Sequence, residues 1–145
     1  MAPGKNIPHP ASALAPVDDR WERIVDGACR IFWKLGIKSV TMDDVATRLG
    51  ISKKTLYQYV TCKDDLVGRV LKHQEQSYQC DIEAVRSVEK QNAIDELYAI
   101  TTKVAAHLKD MHPSVHFDLE KYHPEAFRTL VTKRRTAIFR NMSDN

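Results

Sequence analysis

Basic and aromatic side chains are concentrated in residues 51–66, whose sequence is ISKKTLYQYVTCKDDL. The segment carries three lysines and two tyrosines, and no acidic residue occurs in it before Asp64. Ammonium groups and tyrosine hydroxyls bind phosphate oxygen, while lysine and glutamine can hydrogen-bond to base edges in the major groove of DNA. A solvated surface helix normally mixes its charges, so this composition predicts contact with a polyanion.

The charge of the chain is divided by segment, although the formal net charge of its 145 residues is only +3. From Arg48 to Lys63 there are four basic residues and no acidic one. From Asp64 to Phe127 there are seven basic and twelve acidic residues, and residues 128–140 hold five basic and no acidic ones. A partner or a membrane surface could use the last segment, but a solvated helix face is the simpler interpretation.

The spacing of apolar residues predicts helices around the basic segment, and the sequence shows no alternating strand pattern. Apolar residues from Trp21 to Leu35 recur at helical spacing, and Gly36 follows where a left-handed C-cap is expected. Thr41 and Asp44 form the T-x-x-D pattern of a capping box, which predicts that a second helix begins there. We therefore expect an all-α fold.

A helix-turn-helix unit is predicted next. Gly50 would end the second helix after about two turns, and Ser52 could cap a third helix from Lys53 to Val60. Two short helices joined by a tight glycine turn can lay the second helix in the major groove of DNA. The outward residues of that helix would be Lys53, Lys54, Thr55, Tyr57, Gln58 and Tyr59.

The remainder of the chain predicts further amphipathic helices. One would begin at Lys63, where Asp64 and Asp65 suit the positive end of the helix dipole. Another would run from Ala93 to Met111, before the helix-breaking Pro113. A last helix would open at Pro124, so we expect an antiparallel helical bundle behind the helix-turn-helix head.

Residues 20–71 resemble the TetR family of bacterial transcriptional repressors. The family's core pattern is nearly complete from Thr41 to Leu66, in the sequence TMDDVATRLGISKKTLYQYVTCKDDL. The resemblance implies a repressor that occupies its operator as a dimer and is released by a small hydrophobic ligand bound in the helical bundle. Family members usually run well beyond this length and dimerise largely through two final helices. The resemblance therefore implies an incomplete regulatory part, and it leaves the dimer open.

The resemblance also assigns roles to individual residues. Thr41, Tyr57 and Lys63 would contact phosphates, and the groove would be faced by Lys53, Lys54, Thr55, Gln58 and Tyr59. The chemistry agrees, because a lysine at a helix N-terminus can share a phosphate with backbone N–H groups, and glutamine can pair bidentately with adenine. Two simpler interpretations stay open: Tyr57 as a core aromatic, and Gln58 as an ordinary surface residue.

Two aspartates and three cysteines are further candidates for chemistry. Asp43 and Asp44 would repel phosphates if they pointed outward, so we expect them to serve the helix N-terminus.

The cysteines are an odd and widely spaced set, which fits neither a disulfide framework nor a zinc pattern. Cys62 lies beside Lys63, and an ordinary exposed thiol is favoured there over a redox switch. The cysteines are Cys29, Cys62 and Cys80.

A cluster of histidines and carboxylates lies near the C-terminal end of the sequence. His112 and His116 have the spacing of a helical metal site, but Pro113 falls between them, so no metal site is predicted. No nucleophile with a base, no glycine-rich phosphate loop and no functional carboxylate pair occurs, so neither an enzyme nor a cofactor is expected. The cluster consists of His107, His112, His116, His123, Asp118 and Glu120.

These observations predict a disordered arm (1–17), a DNA-binding head (18–66) and a helical ligand-binding or regulatory part (67–145). The predicted function is sequence-specific DNA binding by a repressor that a small ligand releases, with double-stranded DNA as the partner. The alternative is a helical interaction or ligand-binding protein that has lost operator binding along with the usual dimerisation helices. No apolar run approaches the roughly 20 residues of a membrane span, and no secretory signal is readable, so a cytoplasmic location is expected.

Overall fold

The computed structural model describes residues 18–88, 92–109 and 111–143, and the predicted arm lies outside them. The described residues form seven α-helices and no strand, which confirms the all-α prediction. The helices are α1 (Asp19–Leu35), α2 (Met42–Leu49), α3 (Lys53–Leu56), α4 (Lys63–Arg86), α5 (Ala93–Lys109), α6 (Ser114–Tyr122) and α7 (Pro124–Ser143).

Helix α1 is capped by Asp18, whose carboxylate accepts a hydrogen bond from the Arg20 backbone N–H at 3.1 Å. Its apolar face includes Val25 and Phe32, both fully buried, and this face packs mainly against α4. Burial of such side chains contributes roughly 1.5–3 kcal/mol each, so the α1–α4 contact anchors the head.

The turn between α1 and α2 depends on Gly36. Its φ of 85° is positive as expected, but its ψ of 154° lies outside the left-handed helical region. A Cβ at this position would lie 2.5 Å from the Ser114 hydroxyl oxygen, because α6 packs directly against the turn. Glycine is therefore required here both by the backbone conformation and by the close approach of α6.

Helix α2 begins with the predicted capping box, which the structure confirms. The Thr41 hydroxyl accepts a hydrogen bond from the Asp44 backbone N–H at 3.1 Å, and the Asp44 carboxylate accepts one from the Thr41 backbone N–H at 2.8 Å. The helix ends at Gly50 in the left-handed conformation, with φ 66° and ψ 31°, as the sequence predicted.

Helix α3 is shorter than the sequence predicted. It ends at Leu56, and the next residues form turns in which the Gln58 N–H donates to Thr55 and the Tyr59 N–H to Leu56. These i→i+3 bonds tighten the chain more than an α-helix does, so the residues after Leu56 point in new directions. Leu56 and Val60 are buried, as predicted.

Helix α4 runs without interruption through the predicted boundary at residue 66, and Leu66, Val67 and Val70 enter the same core as α1. Pro124 opens α7 as expected. Helix α6, which begins at Ser114 directly after Pro113, is not predicted by the sequence pattern. Proline suits a helix start, so the same residue that ends one helix also begins the next.

Candidate nucleic-acid interface

The first two helices of the head cross closely. A Cβ at Gly27 of α1 would lie 2.3 Å from the Leu49 Cδ2 atom of α2, and Ala46 on the same side of α2 is buried. This approach seats α2 against α1, and the turn at Gly50 then carries the chain into α3. The short α3 helix is held from below by Leu56, which is fully buried.

Thr41 is exposed at the N-terminus of α2, where contact with a phosphate was expected. Its hydroxyl also donates to the Asp44 carboxylate at 2.7 Å. Hydrogen bonds from the Thr41 side chain, and secondarily from its backbone, lower the pKa of Asp44. Asp44 therefore caps the helix N-terminus, as the sequence predicted. The Thr41 side chain is engaged in the hydrogen bonds of the same cap.

Lys53 and Asp43 form an ion pair between α3 and α2. The Lys53 Nζ atom lies 3.1 Å from Asp43 Oδ1, and the hydrogen bond to Asp43 raises the pKa of the lysine. The expectation that Asp43 serves the helix N-terminus is not met, because its carboxylate turns to α3 instead. The ion pair is exposed, so a polyanion can compete for the lysine at small cost.

Three side chains of the α3 region face solvent and have no side-chain hydrogen bond or ion pair within the described part of the chain. Lys54 and Gln58 are exposed, and Tyr57 is 42% exposed at the end of α3. Thr55 is half-buried beside them, with its hydroxyl 2.8 Å from the Ser52 hydroxyl. We call Lys53, Lys54, Thr55, Tyr57 and Gln58 the recognition face.

The prediction that Tyr59 faces the groove is wrong, because its side chain does not lie on the recognition face. Its ring stacks on Trp21 with centroids 5.6 Å apart, and its hydroxyl donates to the Asp18 carboxylate at 2.9 Å. Burial raises the pKa of Tyr59, and the hydrogen bond to Asp18 adds to the effect. The turns that follow Leu56 rotate this residue toward α1.

Lys63 is the first residue of α4 and is half-buried. Its ammonium group donates to the Lys38 carbonyl oxygen at 3.4 Å, and burial lowers its pKa. It therefore lies over the α1–α2 turn, at the edge of the head. Lys38 is exposed beside it, with its Nζ atom 5.2 Å from the Tyr122 ring centroid. The contact between Lys63 and Lys38 cannot be predicted from sequence spacing, because the two lysines are 25 positions apart.

Helix α6 fixes the same turn from the other side. The Asp118 carboxylate is 4% exposed and accepts the backbone N–H groups of Ile37 at 3.0 Å and Lys38 at 2.9 Å. The His112 backbone N–H donates to the Trp33 carbonyl oxygen at the end of α1. The position of the head is thereby tied to α6 by hydrogen bonds as well as by packing.

The C-terminal histidines have separate surroundings. The His112 ring nitrogen lies 2.9 Å from the Ser114 hydroxyl, the His116 ring meets Phe127 edge-on, and His123 Nδ1 lies 3.3 Å from the Asp64 carboxylate. Within the described ranges, no group of three or more His, Cys, Asp or Glu side chains could hold a metal ion. The side chain of His107 lies outside the described residues.

The helix-turn-helix head of the chain is similar to that of known DNA-binding regulators. Residues 24–70 match the family described as bacterial regulatory proteins, tetR family. An uncharacterized HTH-type transcriptional regulator of Bacillus subtilis (strain 168), YvaF, is 28% identical over 109 residues, which are 75% of this chain. The match to the TetR family thus lies in residues 24–70, the part of the chain that holds the helix-turn-helix head. The chain spans 57% of the length of the Bacillus subtilis relative.

Solved TetR-family structures share the fold beyond the head. A TetR transcriptional regulator from Legionella pneumophila aligns with a TM-score of 0.67 at 14% identity, over 82% of this chain and 67% of its own. SCO4454, a TetR-family regulator from Streptomyces coelicolor, aligns with a TM-score of 0.64 at 22% identity, over 79% of this chain and 64% of its own. The TetR fold therefore extends into the helices that follow the head.

No helix in the described part of the chain is long and apolar enough to cross a membrane.

Proposed function

We propose that this chain is a sequence-specific DNA-binding transcriptional regulator whose recognition face enters the major groove of operator DNA. The observation that carries the proposal is the solvent-facing set of Lys54, Tyr57 and Gln58 on a TetR-family helix-turn-helix unit. These side chains supply a cation, a phenol and an amide, and the buried Leu56 holds their backbone in place. Such groups are the ones that DNA-reading helices present.

Within this proposal the residues divide between positioning and reading. Tyr57 and Lys63 contact phosphates, with Thr41 fixing the N-terminus of α2 beside the backbone of the duplex. Lys54 and Gln58 read base edges, and Lys53 joins them once DNA displaces Asp43. Thr55 supports the reading helix through its hydrogen bond to Ser52. Tyr59 is left out of the interface because its hydroxyl and ring are engaged with α1.

We further propose that residues 18–66 form the DNA-binding head and residues 67–145 belong to a regulatory part that responds to a small ligand. A cleft of about 640 Å³ between α1, α4 and α5 lies within the usual size range of ligand pockets. Its lining includes Trp33 and His73 beside the charged Arg30 and Lys34, so an amphipathic ligand fits better than a purely hydrophobic one. A ligand bound there would touch the head and the regulatory part together.

Repression would follow from occupancy of an operator by two heads, and a dimer would give that operator the symmetry of an inverted repeat. We propose that ligand binding changes the spacing of the two heads and thereby releases the operator. Because operators in bacteria lie in the cytoplasm, the proposed function implies a cytoplasmic location.

Selection of bound duplexes from a random DNA library tests the proposal directly. We expect an enriched sequence, with affinity that falls as salt rises because phosphate contacts release counterions. Lys54→Ala should relax the preference at one base position, and Lys63→Ala should weaken binding to all sequences and reduce the salt slope by about one. Lys133→Ala, which removes an exposed lysine of α7, is the matched control and should leave binding unchanged.

Two results would contradict the proposal. Absence of binding at low salt would favour a helical interaction protein that has kept the motif without using DNA. Binding with equal loss of affinity in the Lys54 and Lys133 variants would mean that charge alone is recognised, with no reading helix in the groove.

A further inference from the structure

Two lysines from separate parts of the chain lie against one tyrosine ring beside the head. The Lys38 Nζ atom, in the turn between α1 and α2, lies 5.2 Å from the Tyr122 ring centroid, and the Lys121 Nζ atom of α6 lies 5.5 Å from the same centroid. Both lysines are exposed, and the tyrosine is 39% exposed. Like charges repel, so a shared ring that holds two of them together indicates a surface that presents positive charge. We call Lys38, Lys121 and Tyr122 the α6 edge.

The lysines of the α6 edge keep their charge available to an external anion. The hydrogen bond between Lys38 and Tyr122 raises the pKa of the lysine and lowers the pKa of the tyrosine. Neither Lys38 nor Lys121 forms an ion pair with a carboxylate among the residues that the structure describes, whereas Lys53 is paired with Asp43. A neutral phenol holds the ammonium groups in place without cancelling their charge.

The carboxylates near the α6 edge are occupied or point elsewhere. Asp118 is 4% exposed and accepts the backbone N–H groups of Ile37 and Lys38, so it also fixes the turn against α6. Asp64 lies 3.3 Å from the His123 ring nitrogen. Glu120 is exposed on α6, about 100° around the helix axis from the neighbouring Lys121. The α6 edge therefore keeps its positive charge.

The α6 edge is continuous with the proposed DNA interface. The Lys63 Nζ atom, which we assign to a phosphate, lies 3.4 Å from the Lys38 carbonyl oxygen. The charges of Lys63 and Asp44 also act on each other beside the N-terminus of α2. A strip of positive charge thus runs from the start of α2 through Lys63 to the α6 edge. Phosphates follow one another closely along DNA, so such a strip can meet several of them.

The direction of this strip distinguishes it from the recognition face. Helix α3 packs on α2, whereas α6 packs on the turn that precedes α2. DNA that reaches the α6 edge therefore lies beside the base pairs that α3 faces. Contacts with its phosphates would add affinity and fix the orientation of the head, but they would carry no sequence information.

We propose that the α6 edge is an additional phosphate-binding surface, through which helix α6 contacts the DNA backbone flanking the base pairs read by α3. Lys38 and Lys121 contact the phosphates, and Tyr122 positions the two ammonium groups. The proposal rests on the proposed DNA binding, and it adds that part of the affinity comes from a helix outside the helix-turn-helix unit. The regulatory part of the chain then touches the DNA directly.

Neutral phosphate analogues test these contacts with the full chain. Fluorescence anisotropy measures affinity for the selected operator duplex, both unmodified and with a single uncharged methylphosphonate at each flanking position in turn. We expect at least one flanking position at which the analogue weakens binding about two- to fivefold, the effect of losing an exposed ion pair. Lys38→Ala and Lys121→Ala should each weaken binding to the unmodified duplex by about the same factor and lower the salt slope by about one.

Coupling between protein and DNA changes then identifies the contact. In the Lys121→Ala variant, the analogue at the phosphate that Lys121 contacts should cause no further loss, because the interaction is already absent. Tyr122→Phe keeps both charges, so it should weaken binding less than either lysine variant and leave the salt slope unchanged. Lys133→Ala, which removes an exposed lysine of α7, is the matched control and should change neither the affinity nor the slope.

Failure of this inference is distinguishable from failure of the proposed function. Absence of any selected operator would contradict both. An operator that binds the wild type, Lys38→Ala and Lys121→Ala equally at every salt concentration would leave DNA binding intact and exclude the α6 edge from the interface. Loss of affinity in the lysine variants without coupling to any flanking phosphate would mean that these charges act at a distance, and would also overturn the proposal.

Discussion

The Oδ2 atom of Asp118 lies 2.9 Å from the backbone nitrogen of Lys38 and accepts its hydrogen bond. The two residues are 80 positions apart, and the contact joins α6 to the turn that precedes α2. The same oxygen accepts the Ile37 N–H at 3.0 Å, and the residue is 4% exposed. A buried carboxylate from outside the head thus completes the hydrogen bonding of the head.

Asp118→Ala should lower the free energy of unfolding by about 3 kcal/mol, because two backbone N–H groups lose a charged acceptor in a buried site. Urea denaturation followed by circular dichroism measures this change. Glu120→Ala, on the exposed side of the same helix, is the control and should change stability by less than about 0.5 kcal/mol. Equal effects of the two substitutions would mean that the α6 contact does not stabilise the head.

Gly50→Ala should destabilise the chain by about 1–2 kcal/mol, because an alanine in the left-handed conformation carries a steric cost. No heavy atom lies within 4 Å of the added Cβ, so the effect isolates backbone strain from crowding. Gly68→Ala is the matched control, since its Cβ also meets open space but the residue lies inside α4. That substitution should stabilise by about 0.5–1 kcal/mol, as alanine is the better helix former. Thermal denaturation of both variants should therefore give shifts of opposite sign.

Most of the fold could be predicted from local patterns. The capping box at Thr41, the left-handed Gly50 and the opening of α7 at Pro124 each involve residues close together in sequence, where a single rule suffices. The short α6 helix is not predicted, because Pro113 on its own indicates only a helix end. The conformation of Gly36 differs from a left-handed cap, and α6 packs against this residue; no local pattern reveals either feature.

The exposure of an interface residue could be predicted where it depends only on the position of that residue on one helix. Lys54, Tyr57 and Gln58 lie outward at the expected positions. Tyr59 does not, because its direction depends on where α3 ends and on Trp21, 38 positions earlier in the chain. The pairing of Lys53 with Asp43 likewise depends on how α2 and α3 are arranged in space.

Tyr57→Phe and Tyr59→Phe should separate binding from folding. Loss of a phosphate contact by Tyr57 should weaken binding to all DNA sequences about five- to tenfold, which corresponds to about 1–1.4 kcal/mol. Tyr59→Phe should change DNA affinity less than about twofold, and lower stability by about 0.5 kcal/mol through loss of the Asp18 hydrogen bond. Fluorescence anisotropy with a labelled duplex and urea denaturation measure the two effects. A larger loss of affinity in the Tyr59 variant would place its hydroxyl at the DNA.

His123 should make the stability of the chain depend on pH. Burial lowers the pKa of its imidazole, and the nearby Asp64 carboxylate only partly offsets this. The unfolded chain therefore binds more protons than the folded chain once the pH falls below about 6.5, the usual value for histidine. The contribution of His123 to stability is full above that pH and is lost as the pH falls from there through the lowered pKa of the folded imidazole.

We expect the urea midpoint of the wild-type chain to fall between pH 7.5 and pH 5.5, and the His123→Gln variant to show a shallower fall. Asp64→Asn should steepen the fall, because it removes the charge that favours the protonated imidazole. Denaturation series at matched ionic strength compare the three proteins. Identical slopes for the wild type and His123→Gln would show that the burial of this side chain does not disfavour its protonation.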